Sequence, residues 1–106
     1  MIHAKGILSA TLLSLLVTGS LAAAPMQKVM LLTGQSSKYH DWTKSSPLVK
    51  KYLNETGLFT VDTITTPPTG ADMSGFAPKF SDYAAVVVVY EGAEWPAATK
   101  TARRRT

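Results

Sequence analysis

His40, Asp41 and Trp42 stand side by side in a polar stretch, and Glu91, Glu94 and Trp95 crowd into a second one. His40 is the only histidine after His3, and an imidazole can act as general acid or base near neutral pH. Asp41 beside it can orient a group or accept a substrate hydroxyl. The same pair can equally do no more than cap and hydrogen-bond a surface loop, because the spacing shows no second catalytic partner. Trp42 and Trp95 offer flat apolar faces to a sugar or a base, or can simply pack on the helices that start beside them. Gly34 and Gly92, the first followed by Gln35, would let the backbone approach a ligand closely, or only turn the chain at the end of a strand. Glu91 and Glu94 are separated by a bend, so their spacing does not establish paired-carboxylate chemistry. With His40 the one histidine after His3, scattered carboxylates and no cysteine, the sequence predicts no metal site. Residues 33–37, Thr-Gly-Gln-Ser-Ser, have a faint likeness to the phosphate-cradling turn of flavin-binding proteins. They lack a second glycine and the Walker spacing, so no cofactor is expected.

These loops need elements to hold them. Residues 28–33 form a short apolar run that stops at Gly34, as a buried parallel strand does. Ser46 as N-cap and Pro47 as first helical residue predict a helix starting there. Leu48, Val49, Tyr52 and Leu53 would be its apolar face, Gly57 would end it, and Leu58 would pack back on its last turn. Residues 58–65 alternate in part and read as an edge strand. Pro67 and Pro68 stop that strand, and the stretch to residue 82 reads as loop with at most one short helical turn. Residues 84–90 are β-branched almost throughout and predict a central strand covered on both faces. Glu94-Trp95-Pro96 then reads as the start of a second helix. The order strand, helix, strand, crossover, strand, helix is that of an α/β doubly wound parallel sheet. Right-handed crossovers place the loops after the first and third strands on one rim, where open sheets bind ligands.

The chain has 106 residues, enough for at most one domain, and its lack of cysteine excludes disulfide staples. The net charge of +4 suggests a nucleic-acid partner until the charges are located. From Met26 to Ala102 seven lysines face seven acidic residues, and the excess lies at Lys5 and at Arg103, Arg104 and Arg105. A neutral body gives phosphate nothing distributed to bind, so no nucleic-acid partner is expected. Lys5 precedes an uncharged stretch that ends in small residues, the pattern of a secretory signal peptide over residues 1–24. Cleavage after Ala22 is favoured over Ala24, which would leave Pro25 first. A retained anchor would need the span to be more apolar than Ser9, Thr11, Ser14, Thr18 and Ser20 allow. The expectation is export to the periplasm or beyond, with no membrane attachment after cleavage.

Residues 28–42, KVMLLTGQSSKYHDW, resemble the opening of ThuA-like (trehalose utilisation) proteins. So do Ser46-Pro47, Glu55-Thr56-Gly57-Leu58-Phe59, the stretch from Pro67 to Phe76, Phe80-Ser81-Asp82-Tyr83 and Glu94-Trp95-Pro96. The resemblance implies a flavodoxin-like fold of the class I glutamine amidotransferase-like group, without that group's cysteine nucleophile. It implies a link to sugar metabolism and a small saccharide as ligand, and it places Gly34, Gln35, His40, Asp41, Trp42, Gly92 and Trp95 around the pocket. Members of the family continue further, so residues 25–102 are expected to be the N-terminal portion of such a domain, inactive alone. Residues 103–106 are expected to be a basic tail foreign to it. A non-enzymatic carbohydrate-binding remnant is the main alternative, and a flavin-binding protein a weaker one.

Overall fold

The computed structural model describes residues 24–105, so the leader expected over residues 1–24 lies outside it apart from Ala24. Three parallel strands form one sheet: β1 (Gln27–Thr33), β2 (Phe59–Thr65) and β3 (Ala85–Val89), in the order β2-β1-β3. Helix α1 (Trp42–Glu55) joins β1 to β2, and α2 (Ala97–Arg104) follows β3. This is the α/β arrangement expected from the order of elements, flavodoxin-like as the family resemblance implies, with β2 on the predicted edge. A single 3-10 turn, Phe80–Asp82, interrupts the long connection before β3.

β1 is the middle strand, and Val29, Met30, Leu31 and Leu32 are all but inaccessible. Its even-numbered side chains Met30 and Leu32 pack with Phe76, Phe80 and Trp95 into the main core. Among the described residues β3 pairs with β1 alone, and Val88 remains 39% exposed, short of the cover on both faces that its valines predict. Two continuous apolar runs look alike in sequence; pairing order alone decides which lies in the middle.

Helix α1 starts four residues before Ser46. Asp41 is its N-cap, accepting hydrogen bonds from the Thr43 amide at 3.0 Å and from the Thr43 hydroxyl. Pro47 therefore lies inside the helix, where its missing N–H leaves the Thr43 carbonyl without its helical donor. The shift changes which face meets the sheet. Ser46 is buried and its hydroxyl shares a 2.6 Å hydrogen bond with that of Thr33, while Leu48 and Tyr52 are exposed. Val49 and Leu53 keep their predicted inward position only in part.

The helix ends as predicted at Gly57, whose φ is 70° and whose N–H reaches the Asn54 carbonyl. Leu58, in contrast, stays 61% exposed. Its amide bonds the Thr56 hydroxyl at 3.1 Å, and that hydroxyl donates to the Leu53 carbonyl at 2.7 Å. One side chain thus bridges the two backbone groups that normally close this cap directly.

Helix α2 runs through Arg104, and the Arg103 guanidinium lies 5.6 Å from the centroid of the Trp95 ring. Arg103 and Arg104 occupy the last turn, where cations complement the exposed carbonyls. Thr99 fixes the helix to the core by donating to the Phe76 carbonyl. Among the described residues no helix is long and apolar enough to cross a membrane.

Candidate functional site

The loops after β1 and β3 meet on one rim, as the crossover rule requires, and enclose a partly open cleft of about 430 Å³. Gln35, His40 and Trp42 line it, together with Ser36, Ser45, Val89, Tyr90 and Glu91. Its size falls within the roughly 300–1,000 Å³ of small-molecule sites. Trp42 is the first helical residue after the Asp41 cap, so the helix start aims its ring into the space, and its amide bonds the Ser36 hydroxyl at 3.2 Å. Tyr90 leaves the end of β3 and donates to the Ala93 carbonyl. Burial pushes the Tyr90 phenol up, an effect partly offset by the Trp95 indole.

The titratable pair in the cleft is His40 and Glu91. His40 Nε2 lies 3.9 Å from Glu91 Oε2, and the Ser37 hydroxyl donates to the same oxygen at 2.8 Å. The histidine is open to solvent, with its side chain 72% exposed. Glu94 turns away to pair with Lys100 at 3.3 Å, so the two glutamates do not form a catalytic carboxylate pair.

Several expected site residues serve the scaffold. Asp41 is occupied as a helix cap: the hydrogen bond from the Thr43 hydroxyl, with further help from the Thr43 amide and Lys44, holds its carboxyl below the usual range. The Asp41 carbonyl takes the amides of Lys44 and Ser45. With the Trp42 amide on Ser36, every N–H of the first helical turn is already bonded within the chain. A flavin phosphate at this helix start would have to displace those bonds.

Trp95 is not on the cleft. It is 9% exposed and packs on Phe76, Phe80 and Tyr90, with ring centroids 5.7, 6.4 and 5.7 Å away. Gly34 approaches the chain itself: a side chain there would meet Thr66.

Gln35 is the member of the set that joins both loops. It is 1% exposed, and its Nε2 donates to the Pro67 carbonyl at 2.8 Å and lies 3.6 Å from the Met73 sulfur. Its Oε1 accepts from the Ala93 amide at 2.9 Å, and its backbone carbonyl accepts from the Glu91 amide at 3.1 Å. Gly92 must be glycine for this packing, since a Cβ would stand 2.3 Å from Gln35 Oε1 and 2.6 Å from Gln35 Cβ. Gly92→Ala is therefore expected to destabilise the chain by about 1–3 kcal/mol, because a filled, hydrogen-bonded neighbour cannot give way freely. Urea unfolding followed by circular dichroism measures it; a midpoint equal to the parent's would contradict this packing.

Sequence reasoning placed Ser36 in the first rim loop without a role and missed Ser45 and Tyr90. Ser45 becomes visible only once the helix is known to start at Trp42, and Tyr90 looks like the last residue of an apolar strand. Among the described residues no group of three or more His, Asp or Glu side chains is placed to hold a metal ion.

A solved structure has the same arrangement at clear sequence similarity. The chain is similar to a ThuA-like protein. That protein comes from Parabacteroides merdae ATCC 43184; the identity is 38%, the TM-score 0.72, and 76% of this chain is covered. The match spans 28% of the other chain's length. No protein-family model and no curated protein matches the sequence.

Proposed function

We propose that this chain is a ThuA-like domain protein, exported by its leader, whose rim cleft holds a small saccharide in a trehalose-type utilisation pathway. The observation that carries the reading is the cleft itself. Trp42 and Tyr90 line it together with Ser36, Ser45, His40 and Glu91. Sugars offer apolar C–H faces that stack on aromatic rings and hydroxyls that satisfy such polar groups. The 38% identity to the ThuA-like protein supports the family. His40 would exchange protons with a bound hydroxyl, and Glu91 would accept a hydrogen bond from one.

In this chain alone the site binds without turnover. Its titratable pair, His40 and Glu91, is solvent-exposed, and the neighbouring Asp41 carboxylate is engaged at the helix cap rather than on the imidazole.

Titration calorimetry of the secreted protein with trehalose and other disaccharides tests the reading. Saturable binding is expected, weakened about tenfold, or ~1.4 kcal/mol, by Trp42→Ala with the circular dichroism spectrum unchanged. Absence of heat with every saccharide, or an unaffected Trp42→Ala variant, would remove the cleft as a sugar site. Mass spectrometry of the same material should show a chain starting at Ala23 or Pro25; an intact Met1 would defeat the export reading.

A further inference from the structure

The charge of the rim cleft bears on which sugars suit it, a question that rests on the saccharide reading above. Asp41, Glu55, Asp62 and Glu94 each have a lysine partner. Glu91, which lines the cleft, has none among the described residues; its neighbours are the His40 imidazole and the Ser37 hydroxyl. The lysines that flank the first rim loop are engaged elsewhere. Lys38 Nζ lies 4.8 Å from the centroid of the Tyr39 ring, and Lys44 Nζ lies 3.7 Å from Asp41.

The carboxylate is also held in place. The Tyr39 amide donates to Ser37 Oγ at 3.3 Å, and the Ser37 hydroxyl donates in turn to Glu91 Oε2 at 2.8 Å. The Glu91 amide is fixed at 3.1 Å on the Gln35 carbonyl. Glu91 Oε1 makes no hydrogen bond among the described residues.

Other groups of the lining have the same polarity. A hydroxyl has one hydrogen to donate. That of Ser45 goes to the Asp41 carbonyl at 3.1 Å, and that of Tyr90 goes to the Ala93 carbonyl. Both oxygens can then only accept. The ligand group that matches them only donates, and a protonated amine is such a group: three N–H donors, no acceptor and a positive charge. The Trp42 ring on the same cleft attracts a cation further.

We infer that the cleft prefers sugars with a free amino group, and that Glu91 is the residue that selects them. An ammonium on Glu91 makes a charge-assisted hydrogen bond, about twice as strong as one from a neutral hydroxyl. A sugar acid meets the same carboxylate as a like charge and is rejected.

Tryptophan fluorescence titrations of the purified protein at pH 7 test this with glucosamine, glucose and glucuronate, three sugars on one ring skeleton. Glucosamine is expected to bind about tenfold more tightly than glucose, and glucuronate about tenfold more weakly. Glu91→Gln keeps an acceptor for Ser37 but removes the charge, so the ratio of glucosamine to glucose affinity should fall to near one. Added salt should shrink that ratio in the parent, because the Glu91 side chain is 57% exposed. A ratio that survives either change removes Glu91 as the selector, and the salt arm decides if Glu91→Gln does not fold. Methylamine, an ammonium without a ring, should not displace glucosamine at equal concentration; displacement would overturn the amino-sugar assignment. Trehalose in the same titration keeps the two readings apart. Trehalose bound, with glucosamine no tighter than glucose, overturns the amino-sugar preference alone. Binding by none of the four overturns the saccharide reading with it.

Discussion

Gly34→Ala is expected to lose about 3 kcal/mol or more of stability, among the larger effects a single substitution has. Two independent costs add. The backbone at Gly34 has φ 133°, a region that residues with a Cβ avoid at a cost of about 1–3 kcal/mol. A Cβ there would also stand 2.3 Å from Thr66 Oγ1 and 2.6 Å from the Thr66 amide nitrogen. The first atom belongs to a side chain that is 4% exposed, with little room to rotate, and the second is backbone. That backbone cannot retreat cheaply, because the Thr66 amide donates at 2.7 Å to the Thr33 carbonyl in the last bond of the β1–β2 ladder.

A domain of this size holds only about 4–12 kcal/mol in total, so one such change consumes a large share. Thermal unfolding of Gly34→Ala against the parent measures it. A melting temperature within about 2 °C of the parent's would show that the close approach to Thr66 is not present in solution. Gly57→Ala is a useful contrast: it keeps a positive-φ penalty, but no atom lies within 4 Å of the added carbon. Its loss should be about 1 kcal/mol.

The contrast shows what a sequence discloses and what it withholds. Both glycines sit at the end of an element, and their positions as terminators were legible from composition and spacing. That Gly34 abuts a threonine thirty-two residues away was not, because it depends on how β2 lies against β1. The same limit governs the helix start. Ser46-Pro47 is a strong local signal, yet Asp41 satisfies the first-turn amides better, and a hydroxyl pair between Thr33 and Ser46 offsets the interior proline. Element order and the rim that holds the cleft follow from strand-helix alternation and crossover handedness, which are properties of the chain's direction. The division of labour within the rim does not. His40 and Trp42 face the cleft, whereas Asp41 between them caps the helix and Trp95 fills the core. Residue type cannot separate these, since a tryptophan suits a sugar face and a core equally.

Gln35 shows how closely the rim and the core are joined, and replacing it by glutamate should make stability depend on pH. In the parent, the amide donates from Nε2 to the Pro67 carbonyl and accepts at Oε1 from the Ala93 amide, with almost no solvent contact. Leucine at this position would leave both backbone groups unpaired, at about 1–3 kcal/mol for each. Glutamic acid can replace both bonds only while protonated, donating from its hydroxyl to Pro67 and accepting from Ala93. Once ionised it faces the Pro67 carbonyl oxygen with no donor and sits in a site closed to water, so burial and that carbonyl both raise its folded pKa.

An acid whose pKa is higher folded than unfolded holds its proton longer in the native state. The Gln35→Glu chain should therefore be nearest to the parent below the unfolded carboxyl value of about 4.3 and lose stability steadily as pH rises above it. The difference between Gln35→Glu and the parent, measured by urea unfolding at matched pH, should widen between pH 4 and 7, while that of Gln35→Leu stays nearly constant over the same interval. Taking differences against the parent removes the titration of Asp41 and Asp72, whose lowered carboxyls act in both chains and destabilise them as pH falls. A Gln35→Glu penalty that does not change with pH would mean that the side chain reaches solvent, and the bridge between the two loops would have to be abandoned.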